Sequence, residues 1–188
     1  YSYHKYLDFK SIINKKEIIN ILCVNRDLMI RTFCLVSHNN LFTMASSRLG
    51  GDILATNAIL FQIMSIFSYA FDGIANTASV FSGRARGRKN NTLMKNCWKQ
   101  TFFWGIIATI LITIVFVLFN RTIIEIFTKL PNILILTQKY SIWLVLYPSI
   151  AFLGLTFYGV FTGAAKTVPI MTSTVLAFIS FFIAWKFL

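Results

Sequence analysis

The chain has 188 residues, of which 56% are hydrophobic and 13% are charged, and it carries a formal net charge of +12. A soluble domain has about a quarter charged residues, so this composition disfavours a soluble enzyme or binding domain. A nucleic-acid partner is also disfavoured, because the basic residues lie between long apolar runs instead of on a soluble scaffold. The composition predicts a protein whose solvent is largely a lipid bilayer.

Five apolar segments are long enough to cross a bilayer as helices, which takes about 20 residues each. Turn signals that contain Gly or Pro separate them. The first segment is the most polar, because it includes Arg31 and His38. The pattern predicts an all-α, polytopic helical membrane protein with five transmembrane helices. The predicted spans are 28–47, 53–82, 101–119, 135–157 and 168–188, the connections are 48–52, 83–91, 128–132 and 162–169, and residues 1–24 precede the first span as a cytoplasmic connector.

Lysine and arginine are distributed unequally between the two sides that an alternating path predicts. Thirteen of the 18 fall on the side of the N-terminus. Cationic residues accumulate in cytoplasmic loops, so the N-terminus is predicted to be cytoplasmic. This asymmetry explains the basic charge without a nucleic acid. We expect a multi-pass protein of the plasma (inner) membrane, with membrane lipid as a partner.

The sequence contains no pattern typical of an enzyme active site or a metal site. Three scattered cysteines, Cys23, Cys34 and Cys97, have no metal-ligand spacing, and the two histidines are His4 and His38. There is no nucleophile constellation and no phosphate-binding loop, so we predict that the chain is not an enzyme and holds no metal. The first residue is not Met and the last lies within an apolar run, from which we expect a piece of a longer protein.

The second predicted helix carries an acid near the middle of the bilayer. Asp72 lies 11 residues before Gly83, the predicted cytoplasmic edge, or about 16 Å at the helical rise. A charged side chain at this depth costs about 3 kcal/mol by insertion scales, and such residues usually mark ion or substrate paths. We therefore expect Asp72 to face protein or water and to take part in function.

Small and polar residues recur around Asp72 at spacings of three and four, so they share one helix face. We call this face the polar stripe; its members are Ser65, Ser68, Tyr69, Asp72, Asn76, Ser79 and Gly83. Candidates for an ion or substrate pathway are Asp72, Asn76, Tyr69 and, on the same helix, Gln62. The alternative interpretation is that the small polar residues hold helices together. Gly83 and Gly87 are candidates for close packing at the helix end.

The first predicted helix supplies two further pathway candidates, His38 and Asn39. Antiparallel neighbours place them at a depth similar to that of Asp72. Our hypothesis is that Asp72 interacts with His38 or Asn39, directly or through water. The alternative for His38 is a buried histidine whose hydrogen bonds are satisfied within the fold.

Five stretches together resemble one transporter family. They are "NRDLMIRT" (25–32), "SSRLGGDILATNAIL" (46–60), "YAFDGIANTASVFSGRARG" (69–87), "YSIWLVLYPSI" (140–150) and "GVFTGAAKTVPIMTS" (159–173). In this order and spacing they resemble the multidrug and toxic compound extrusion (MATE) transporters, and most of all their DinF-like branch. The resemblance implies a twelve-helix transporter with two six-helix lobes. This chain would be most of the second lobe, truncated before the last helix.

The resemblance also implies a function. Such proteins export organic, often cationic, drug-like compounds in exchange for H⁺ or Na⁺ by alternating access, with no cofactor besides the coupling ion. The missing N-terminal lobe would be a partner, and without it the polar stripe would face lipid.

This sequence departs from the family pattern at Ser79 and Tyr158, where relatives often carry an acid. Ion coupling in this lobe would then be weakened or would rest on the first lobe. Two alternatives stay open: a lipid-linked oligosaccharide or polysaccharide flippase of the same superfold, and a degenerate remnant that does not transport. Flippases usually line their cavity with cations, and here Arg31 is the one well-placed cation.

Overall fold

A computed structural model describes residues 15–187 of the chain, and within this range it contains helices and no strand. The predicted all-α class is therefore confirmed. Residues 15–24, predicted to be part of a connector, form the first turns of a helix, and the rest of that connector lies outside the described residues. The helices are α1 (Lys15–Arg48), α2 (Gly51–Gly87), α3 (Asn91–Phe127), α4 (Pro131–Tyr140), α5 (Ile142–Gly163) and α6 (Val168–Phe187).

Four of the six described helices, α2, α3, α5 and α6, are long and apolar enough to cross a membrane. This pattern is that of a polytopic helical membrane protein. Helix α1 is long enough but more polar, so the predicted first span at 28–47 stays a prediction. The fifth predicted span agrees with α6, in which Pro169 occupies the first turn, where its missing N–H costs no helical hydrogen bond.

The prediction of one continuous helix over 135–157 is wrong. Ser141 separates α4 from α5, and its hydroxyl donates to the carbonyl oxygen of Gln138 at 2.8 Å while it accepts from the Asn120 amide at 3.0 Å. A serine hydroxyl competes in this way with the backbone bonds of a helix. Helix α5 then continues through Pro148 to Gly163.

The basic stretch 83–91 is also not the loop that its glycines predict. Helix α2 continues to Gly87, because arginine is a good helix former, and the turn to α3 is confined to residues 88–90. Asn90 caps α3 by accepting from the N–H of Leu93 at 2.9 Å. Helix α3 is longer than the predicted span 101–119, and its backbone departs from helical geometry at Phe119, where that span was predicted to end.

The described residues belong to two compact units. One unit joins α1 up to Val36 with the segment from Lys166 onward, which contains α6. The other, Ser37–Ala165, contains the end of α1 and all of α2 to α5. The larger unit has an apolar core in which α2, α3 and α5 meet, formed by Leu60, Ile63, Phe67, Phe116, Ile124 and Leu144.

Helices α2 and α5 run parallel and make the most extensive contact in the larger unit. Glycine permits it: a Cβ added at Gly159 would collide with the backbone of Ala75, and one at Gly163 would collide with the carbonyl oxygen of Ser79. Gly83 lies at the same contact, since its Cβ would be 3.1 Å from the carbonyl oxygen of Gly163. Small residues thus let the two backbones touch, as is common between membrane helices.

We expect Gly163→Leu to destabilise the protein by about 3 kcal/mol or more, because the added side chain must displace backbone and not a flexible side chain. The matched control is Gly154→Leu on the same helix, since a Cβ at Gly154 meets no atom within 4 Å. Thermal unfolding of both variants, expressed from the complete reading frame and purified in detergent, measures the difference. Equal midpoints for the two variants would contradict the packing argument.

Candidate functional site

The middle of the polar stripe, from Tyr69 to Asn76, lies on a side of α2 that its own unit leaves partly uncovered. A different side of α2 is packed, with Thr56, Leu60, Ile63, Phe67, Phe71, Ala75, Ala78, Ser82 and Ala85 buried. Tyr69 is 70% exposed, Gln62 and Asn76 are exposed, and Asp72 is half-buried. The structure therefore places these four pathway candidates on one face, and their side chains are open to whatever lies beside the unit.

Asp72 makes no hydrogen bond and no ion pair with any residue in the described range. A direct bond to His38 or Asn39, one form of our hypothesis, is therefore not formed. His38 is half-buried and Asn39 is exposed on the part of α1 that belongs to the same unit. An interaction through water stays a hypothesis.

Two members of the polar stripe serve in packing. The Ser68 Oγ lies 2.6 Å from the Tyr147 Oη on α5. The Ser68 hydroxyl donates to the carbonyl oxygen of Met64 at 3.0 Å, so Tyr147 is the donor in the pair. Ser79 contributes its backbone to the contact with Gly163. Ser68 and Ser79 thus fit the alternative interpretation, in which small polar residues hold helices together. Tyr69, Asp72 and Asn76, which lie between them in sequence, have no such contact.

The glycines at the end of α2 differ from each other. Gly83 lies at the contact with α5, but a Cβ at Gly87 would meet nothing within 4 Å. Because of this open space, Gly87, the last residue of α2, does not take part in close packing. Among the described residues, no three His, Cys, Asp or Glu side chains form a group that could hold a metal ion.

Sequence reasoning missed the acid that the structure buries most completely among the described residues. Asp27, at 2% exposure, accepts a hydrogen bond from the Thr167 hydroxyl at 2.8 Å. It also accepts from the Arg26 guanidinium at 2.9 and 3.2 Å. Thr167 immediately precedes α6, so this carboxylate joins the start of α6 to α1 within one unit.

The surroundings of Asp27 favour its charged form. The hydrogen bond from Thr167 and then the hydrogen bonds from Arg26 hold the pKa of Asp27 below its ordinary value, although burial acts in the opposite direction. Asp27 precedes the first predicted span and lies outside the four helices that qualify as spans. A signal was present in the sequence, since Asp27 and Thr167 belong to two of the family-like stretches.

Comparison with known proteins decides the family. The sequence profile of MatE matches residues 28–187. The chain belongs to the MatE family. It is 31% identical over 157 residues to DNA damage-inducible protein F of Escherichia coli (strain K12), an alignment that covers 84% of this chain and 34% of the relative. The chain thus spans about a third of the length of that relative, and no solved structure matches it significantly.

MatE membership confirms the resemblance that the ordered stretches indicated. Membership of this family and the apolar helices together make the chain part of a multi-pass membrane protein of the MATE type.

We expect Asp27→Asn to lower the unfolding temperature at neutral pH, because the amide cannot replace a carboxylate that accepts from both Thr167 and Arg26. The folded-state pKa of Asp27 lies below its unfolded value, so its stabilisation is present above the unfolded pKa and is lost as the pH falls through the folded pKa. The variant and the parent should therefore converge in acid. Thermal unfolding from neutral to acidic pH tests this, with the exposed Asp52→Asn as control, and a constant gap between parent and Asp27→Asn would contradict it.

Proposed function

We propose that the chain is most of the second six-helix lobe of a secondary active antiporter, which exports organic, often cationic compounds in exchange for H⁺ or Na⁺ by alternating access. The observation that carries the proposal is Asp72. It is a half-buried carboxylate at the middle of an apolar helix, outside the packed face of that helix, and it has no partner among the described residues.

The side chains around Asp72 suit a cation. An ionised carboxylate attracts H⁺, Na⁺ or an organic ammonium group. Tyr69 offers an exposed aromatic face, on which cations bind, and Asn76 adds an amide oxygen as an acceptor. The polar stripe contains no lysine or arginine, so it supports transport of cations better than the flippase alternative, whose anionic substrates need basic side chains.

The exposed polar stripe also supports a missing partner lobe. A charge facing hydrocarbon is costly, and the unit Ser37–Ala165 leaves Asp72 without a cover. A second lobe that encloses a water-filled cavity would supply one. The length of the E. coli relative, about three times the matched part, is compatible with that arrangement. Because Ser79 and Tyr158 stand where relatives often carry acids, Asp72 would be the main coupling group of this lobe.

Transport by the protein expressed from its complete reading frame tests the proposal. In inverted vesicles energised by a proton or sodium gradient, we expect Asp72→Asn to lower gradient-driven uptake of a fluorescent organic cation by about tenfold or more, as expected when an essential charge is removed. Asp72→Glu should retain part of the activity.

The matched control for transport is Asp52→Asn, which removes an exposed acid from the first turn of the same helix. It should leave uptake unchanged. Full gradient-driven uptake by Asp72→Asn would reject Asp72 as the coupling group. Absence of uptake by the parent protein with every cation and both gradients would favour the degenerate remnant.

The proposed orientation has its own test. In a background in which Cys23, Cys34 and Cys97 are replaced by alanine, we expect Lys129→Cys to react with a membrane-impermeant maleimide in intact cells. Lys89→Cys should react after permeabilisation, because the turn at 88–90 lies on the basic side. The reversed pattern would contradict a cytoplasmic N-terminus.

A further inference from the structure

A groove of about 810 Å³ lies between α2 and α3 on the outer surface of the larger unit. Its walls are one face of each helix, from Ala70 to Phe81 on α2 and from Leu93 to Ile112 on α3. At one end the helices come together, where the Cys97 thiol donates to the carbonyl oxygen of Ala78 at 3.5 Å. The longer wall extends about 28 Å at the helical rise, close to the hydrocarbon thickness of a bilayer.

The groove is apolar and faces away from the core. Phe81, Trp104 and Leu111 line it, and they are between 44% and 59% exposed. Both walls are helices that qualify as membrane spans. Two hydroxyls in the lining are already used, since Thr77 donates to the carbonyl oxygen of Gly73 and Thr101 to that of Cys97. An apolar chain would therefore fit most of the groove.

Six exposed cations lie at the adjoining ends of α2 and α3 and in the turn between them, next to the groove in sequence but not in its lining. They are Arg84, Arg86, Arg88, Lys89, Lys95 and Lys99. No acid occurs anywhere between residues 73 and 124, and none of the six forms an ion pair with a described residue. Arg84 contacts a lining residue of the groove, with its Cζ 5.8 Å from the centroid of the Phe81 ring.

Two amides lie in the wall between the cations and the apolar part. Asn96 and Gln100 are one turn apart on α3 and are exposed, and neither forms a hydrogen bond with a described residue. A polar group that faces a bilayer needs a partner, because hydrocarbon offers none. Neighbouring Lys95 and Lys99 add positive charge at the same level of the helix.

We propose that this groove is a binding site for an anionic membrane phospholipid, independent of the transport pathway. An acyl chain lies between Ile74 and Phe81 of α2 and Ile107 and Leu111 of α3. The amides of Asn96 and Gln100 donate to ester and phosphate oxygens. Arg84 and Lys99 hold the phosphate, and the charge complementarity selects an anionic headgroup over a zwitterionic one.

Native mass spectrometry of the detergent-purified protein, expressed from the complete reading frame and titrated with lipid, measures this binding. We expect phosphatidylglycerol to bind about fivefold more tightly than phosphatidylcholine. Each Lys or Arg near an anionic lipid contributes about 1 kcal/mol of binding free energy, which corresponds to about that factor. The combined variant Arg84→Gln, Lys99→Gln should lose that preference. The control variant Lys129→Gln, Lys139→Gln removes two exposed cations elsewhere and should keep it.

The apolar part is tested by filling the groove. Gly73 lines it, and a Cβ there meets no atom within 4 Å, so Gly73→Leu should fold and lower occupancy by either lipid about fivefold or more. Gly154→Leu, with equally open space but outside the groove, should bind lipid like the parent. If Gly73→Leu does not fold, Ala70→Trp in the same wall replaces it.

Equal affinity of the parent for the two lipids would overturn the proposal. So would unchanged binding in the charge variant or in the groove-filling variant. A third contrary result combines two observations. The parent protein binds neither lipid, and the variant Thr77→Cys cross-links to another segment of the complete protein. That segment would then occupy the groove.

Discussion

The backbone contact between α2 and α5 is the constraint on which the larger unit depends. In a bilayer, an apolar side chain gains little free energy when it leaves lipid to contact another helix. Helix association therefore depends on close packing and a few polar contacts. Gly159 and Gly163 bring α5 against the backbone of Ala75 and Ser79, and the Tyr147 hydroxyl adds a bond to Ser68. This contact fixes the rotation of α2 and therefore the direction of every other side chain on it.

With that rotation fixed, neighbouring residues of α2 serve different surroundings. Ala75 faces α5, Gly73 lines the groove beside α3, and Asp72 lies on the polar stripe. At 3.6 residues per turn, about 100° separates successive side chains, so one helix can present a packed face, a lipid-facing groove and a polar face. A shift in rotation of one residue would exchange these surroundings and place the carboxylate of Asp72 in the core or in the groove.

Sequence patterns predicted the helical class, the family and the position of the polar stripe, because apolar length and three–four spacing report directly on helices in a bilayer. They did not predict the break at Ser141, since it depends on a bond from Asn120 some twenty residues away. The prediction of a loop after Gly83 was wrong, because it rested on the glycines as helix breakers, whereas the arginines of this stretch favour a helix. They missed Asp27, whose partner Thr167 is distant in sequence.

Asp27 and Asp72 show why the surroundings of an acid, and not its depth alone, determine its use. Two donors hold Asp27 in its charged form, so proton uptake there would weaken these contacts and with them the link between α1 and the start of α6. Asp72 has no such donors in the described residues, so binding and release of a cation there would cost no hydrogen bond within its unit. A carboxylate suited to repeated exchange must be free of internal donors, whereas one suited to holding two helix ends together must be saturated with them. The sequence contains both kinds within 45 residues of each other, and only contacts made in the folded chain distinguish them.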